Sequence, residues 1–152
     1  MNYYEGDYRA IGYAPAAGSI ISKLGASAAP LYNGNIAAMS VNIPVLGGGA
    51  KVYNYKYDQL NRIVSMDLFD GLAIGNSGYS LSQQQAYKER VSYDPNGNIL
   101  RYVRNGPSTG LAMDSLIYGY TAGSNRLHKV VDSITHANAY SDIKPGQADN
   151  NY

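Results

Sequence analysis

His128 and His136 are the only imidazoles in this 152-residue chain, and cysteine is absent. A Ser-His-Asp triad or a histidine-bound zinc would have to use one of them. Ser133, His136 and Asp132 supply the residue types of a hydrolytic triad, but immediate sequence neighbours rarely reach triad geometry. Two histidines without a thiolate make a weak zinc set. Asp58, Asp94 and Asp114 carry the oxygen ligands that calcium prefers, yet no EF-hand spacing surrounds them, and hydrogen bonding at turns and strand edges accounts for their positions. Gly47-Gly48-Gly49-Ala50-Lys51 lacks the Gly-x4-Gly-Lys-Ser/Thr order of a phosphate loop. The expectation is a chain with no catalytic residues, no metal ligands and no cofactor.

The elements around these residues follow from composition. Sixteen Tyr stand beside one Phe and no Trp, with 17 Gly and many Asn. A Tyr ring packs while its hydroxyl reaches water or a polar neighbour, which suits a half-wet sheet. Asn and Gly tolerate the positive φ of tight turns. Charged residues are 15% of the chain and the formal charge is +1, which argues against a basic nucleic-acid-binding tail and against charge-driven disorder. No run nears the ~18 apolar residues of a membrane helix. The start, Met1-Asn2-Tyr3-Tyr4-Glu5, lacks the basic-then-apolar order of a secretion signal. The length suits one domain or part of a larger one.

A short grammar recurs along the chain. Tyr57-Asp58-Gln59-Leu60-Asn61-Arg62-Ile63 overlays Tyr93-Asp94-Pro95-Asn96-Gly97-Asn98-Ile99. A looser copy is Tyr120-Thr121-Ala122-Gly123-Ser124-Asn125-Arg126-Leu127, and a shortened one is Tyr32-Asn33-Gly34-Asn35-Ile36. The leading tyrosines lie 25, 36 and 27 residues apart, which suggests a hairpin unit with variable outer loops. Before the turn, Tyr53, Tyr55 and Tyr57 alternate with polar residues at the period of a half-buried strand; Leu116, Tyr118 and Tyr120 do the same. Asp94-Pro95-Asn96-Gly97 predicts a type I turn, with Gly97 left-handed before a bulge, and Asn61 filling that place in the other copy. Return strands are expected at Ile63 to Met66, Ile99 to Val103 and Leu127 to Val131. The tyrosine rings are expected to form the core face. Between hairpins, 82–90 could form a short helix, but it shows no clear apolar stripe, and a surface loop leading into a strand is the preferred reading. The Ala/Gly/Ser-rich stretch 14–30 is either packed or mobile.

The Tyr-Asp motifs, together with Tyr32-Asn33-Gly34-Asn35-Ile36 and Glu89-Arg90-Val91-Ser92-Tyr93, resemble the YD repeats of the RHS family over about residues 31–152; residues 2–13 resemble a linker found inside large bacterial members. The resemblance implies an all-β chain of consecutive antiparallel hairpins. These form a sheet strip that winds into a spiral shell around a toxin domain, as in Tc-toxin C components, or into a related barrel, as in teneurins. It also implies a secreted or cell-surface location. A closed shell needs more repeats than this chain holds, and Gly146 to Tyr152 resembles the approach to another unit, so a fragment is expected. Asp94-Pro95-Asn96-Gly97 looks superficially like the family's self-cleaving Asp-Pro-x-Gly, but it sits inside an ordinary repeat turn. The expected organisation is a small-residue lead-in, 1–30, followed by a hairpin region, 31–152. The expected partners are other YD repeats of a longer chain or copies of the same chain, since exposed strand edges invite pairing. Three readings stay open: a shell segment, a self-assembling surface filament, and an adhesion module binding a carbohydrate or receptor on Tyr53, Tyr55 or Tyr102.

Overall fold

The computed structural model describes residues 1–7, 20–43, 49–72 and 80–134. Among these are one short helix, α1 (Ile20–Leu24), a 3-10 turn (Gly25–Ser27) and eight strands. The strands are β1 (Ala38–Val41), β2 (Ala50–Tyr57), β3 (Ile63–Leu72), β4 (Ser82–Gln83), β5 (Glu89–Tyr93), β6 (Ile99–Asn105), β7 (Ala112–Tyr120) and β8 (Leu127–Asp132). The chain divides into two compact units, Met1–Gln84 and Gln85–Tyr152. Each is built of sequential antiparallel hairpins, so the all-β expectation holds.

In the first unit β1 pairs β2, β2 pairs β3, and the two-residue β4 pairs β3. Side chains alternate across β2, but the tyrosines take the wetter face. Ala50, Val52 and Asn54 are buried, whereas Tyr53, Tyr55 and Tyr57 are half-buried. The core therefore forms on the face opposite the one expected, from Val52 and Phe69 with Ile21, Leu24, Ala37 and Ala38. A phenol must keep its hydroxyl wet or bonded, while small aliphatic residues can be sealed completely. The stretch 14–30 resolves accordingly: its described part, 20–30, contributes Ile21 and Leu24 to that core, and 14–19 lie outside the described residues. Asn54, fully buried, donates from Nδ2 to the Ser27 carbonyl at 2.7 Å and ties the 3-10 turn to the sheet.

The second unit is a four-strand meander, β5-β6-β7-β8. Its pairing repeats that of the first. Ala38 faces Asn54 and Val41 faces Lys51 in the first unit; Arg101 faces Ile117 and Arg104 faces Asp114 in the second. Both members of each pair have moved by 63 residues, so the register is the same. The following hairpin closes at Tyr57–Ile63 in one unit and at Tyr120–Leu127 in the other, one residue longer. The stretch 82–90 is β4, a loop and the start of β5, as its polar composition suggested.

Gly71 marks where β3 is most constrained. Its φ is +90°, and a Cβ there would run into the Ser80 carbonyl. Gly71→Ala is expected to destabilise the chain by at least about 1–3 kcal/mol, from backbone strain alone. Gly119→Ala, where the new methyl meets Lys129 Cγ at 3.2 Å, should stay within about 1 kcal/mol of wild type. Urea unfolding of both variants measures the difference.

Candidate functional site: the hairpin corners

Each hairpin corner must satisfy backbone N–H groups that leave the ladder, and the turn residues do this with carboxylates and amides. At the β2–β3 corner, Asp58 N–H donates to Arg62 O (2.9 Å) and Asn61 N–H to Asp58 O (3.0 Å). Asn61 takes φ +62°. Asp58 Oδ1 accepts from the backbone N–H of Leu60 (2.9 Å) and Arg62 (3.0 Å), and Oδ2 from Arg62 Nε at 2.6 Å. These donors, led by the Arg62 backbone N–H, hold the Asp58 carboxyl below its usual range.

The β5–β6 corner is built alike. Asp94 N–H donates to Asn98 O (2.9 Å), Gly97 N–H to Asp94 O (3.1 Å), and Gly97 has φ +93°. Asp94 accepts from Asn98 N–H and Asn98 Nδ2, both at 2.8 Å. The Asn98 side chain is the main reason its carboxyl also lies below the usual range. The β7–β8 corner lacks the carboxylate. Thr121 N–H reaches Arg126 O at 2.9 Å, and Ser124 N–H reaches Thr121 O at 3.0 Å.

Neighbouring corners are clamped together within each unit. In the first, Asn61 Oδ1 accepts from Asn33 Nδ2 (2.7 Å) and Asn35 Nδ2 (3.3 Å). In the second, Asn125 Oδ1 accepts from Asn96 Nδ2 (3.2 Å) and Asn98 Nδ2 (2.9 Å). Beside each clamp a tyrosine hydroxyl donates to a carbonyl: Tyr57 to Ile36 O at 3.0 Å, Tyr120 to Ile99 O at 2.8 Å. Burial raises the pKa of both phenols. These contacts align Asn33-Gly34-Asn35-Ile36 with Asn96-Gly97-Asn98-Ile99. Tyr32 then corresponds to Pro95, not to Tyr93 as the sequence overlay had it. Tyr32 is largely exposed and stacks on Tyr4, with ring centroids 5.0 Å apart. Among the described residues no strand precedes this corner, and Asn2 bridges Ala38.

Tyr53 and Tyr55 share a face of β2, and Tyr102 lies on β6 in the second unit. Tyr102 is bonded to Glu89, and burial followed by that carboxylate pushes its pKa up to about 12. Arg104 pairs with Asp114 at 2.6 Å, and Lys51 with Asp70 at 2.6 Å. A cleft of about 280 Å³ lies beside the first clamp, lined by Ser27, Leu31, Asn33, Tyr55, Tyr57 and Asn61. Residues 26–31, Ala26-Ser27-Ala28-Ala29-Pro30-Leu31, carry no motif that marks this cleft in the sequence. Asp132 accepts from the N–H of Ser115 (3.0 Å) and Ile134 (2.9 Å), and the Ser133 hydroxyl donates to Ser115 O (3.1 Å). Both residues thus anchor backbone; His136 lies outside the described residues. No group of three or more metal-ligating side chains occurs among the described residues, and none of their helices is long and apolar enough to cross a membrane.

Comparison with family models, curated proteins and solved structures found no match to this chain.

The corner carboxylates set an acid limit on stability. Because folding lowers the Asp58 and Asp94 pKa values, their stabilisation is complete above the unfolded pKa of about 4 and is lost as pH falls through the folded values. Urea midpoints should fall in that window, and Asp58→Asn with Asp94→Asn should flatten the dependence. Tyr57→Phe and Tyr120→Phe should each cost roughly 0.5–1.5 kcal/mol by the same assay, and the two losses should add.

Proposed function

We propose that this chain is a non-enzymatic structural β-module of the RHS/YD-repeat kind, a segment of an extracellular shell or scaffold that encloses or delivers a toxin domain. The observation that carries the proposal is the 63-residue recurrence. Strand register, the amide clamp and the tyrosine-to-carbonyl bond return together in both units. A unit that reproduces its own pairing can be appended indefinitely, which is what a shell wall or scaffold needs.

The filling of the two units supports the same reading. Asn54 and Asp67 face each other in the first unit at 0% and 5% exposure. The corresponding pair in the second, Ile117 and Val131, is 47% and 43% exposed. Apolar side chains left bare on a sheet ask for a neighbour. Among the described residues β8 is an edge strand that pairs only β7, and an edge strand favours a self-assembling filament as the second reading.

Two measurements separate the readings. Genomic sequence on both sides of the coding region should contain further Asn-Gly-Asn and Tyr-Asp pairs with the same register, followed by a variable C-terminal domain. Sedimentation of the 152-residue chain should show concentration-dependent association that Val131→Lys reduces. A monomer with intact β-sheet dichroism, together with no flanking repeats, would overturn both readings.

A further inference from the structure

We propose that Asn33–Gly34 is a site of spontaneous covalent modification, at which the asparagine converts through a cyclic imide to aspartate or isoaspartate, and that the equivalent Asn96–Gly97 is protected. In this reaction the Gly34 backbone nitrogen attacks Asn33 Cγ. A new N–Cγ bond forms, the Cγ–Nδ2 bond breaks, and ammonia departs carrying the proton from the Gly34 N–H. Water then opens either imide C–N bond. Glycine favours the step because no side chain shields the attacking nitrogen.

The two sites share a sequence and differ in three contacts. First, the Gly34 N–H has no hydrogen-bond partner among the described residues, whereas the Gly97 N–H is held by Asp94 O at 3.1 Å. An occupied N–H is a poorer nucleophile. Second, the Asn35 N–H donates to Asn33 Oδ1 at 3.1 Å. That is the oxygen on which negative charge develops during attack, and a donor already in place stabilises it. The corresponding Asn98 N–H is taken by Asp94 Oδ1 at 2.8 Å and is not available to Asn96. Third, the Asp94 carboxylate places negative charge beside the nitrogen that must lose its proton; Pro30, Leu31 and Tyr32, the residues before Asn33, offer none.

The product changes the corner. Asn33 Nδ2 donates to Asn61 Oδ1 at 2.7 Å, and a carboxylate in its place would set two acceptors against each other. Conversion therefore loosens the first clamp with time and leaves the second intact.

Peptide mapping of the full chain, aged in warm, mildly alkaline buffer, tests this. In the folded protein Asn33 should convert several-fold faster than Asn96, and in concentrated urea the two rates should converge. Asp94→Ala should raise the Asn96 rate toward that of Asn33. Equal rates in the folded chain, faster conversion at Asn96, or a ratio unchanged by urea would overturn the proposal.

Discussion

Backbone N–H groups at a hairpin corner have left one ladder and cannot yet join another, and leaving them unpaired is costly. The carboxylates of Asp58 and Asp94 resolve this by each accepting from the backbone two and four residues ahead. Closing a corner this way sets the position of the bulge, and the bulge sets which residues of the returning strand face which side. Strand register follows from it.

The amide clamps extend that constraint from one hairpin to the next. An asparagine oxygen accepts two amide donors from the preceding corner, and a phenol reaches the carbonyl beside it. The same set recurs in the second unit despite the extra residue in its last turn. Asn125 keeps its role because the added residue is absorbed before it, where Gly123 takes φ +73°. The corners thus tolerate changes in loop length that would slip a plain hairpin.

Shared wiring does not imply shared filling. One unit seals its sheet face beneath α1 and the 3-10 turn, with Asn54 as the polar anchor. The other places Ile117 at the equivalent position and leaves it in solvent. The repeats are therefore a scaffold of hydrogen bonds onto which each unit places its own cover.

Local chemistry made the hairpins legible: strand alternation, Asp-Pro-Asn-Gly, and an asparagine able to adopt positive φ each act within a few residues, and the corners at 58–62 and 94–98 form as their residues predict. The alignment of Tyr32 with Tyr93 failed because a tyrosine identity was weighed where the recurring amide contacts set the equivalence. Burial of Val52 and Asn54 in place of the tyrosine face depended on α1 and residues 25–31 arriving over that face, a contact between segments some thirty residues apart that no local pattern encodes. What the sequence by itself determined is where the chain turns and pairs, since turn geometry is a short-range property. Which face is dry and which asparagines clamp were decided only by the tertiary structure, because each depends on a partner supplied from a distant part of the chain.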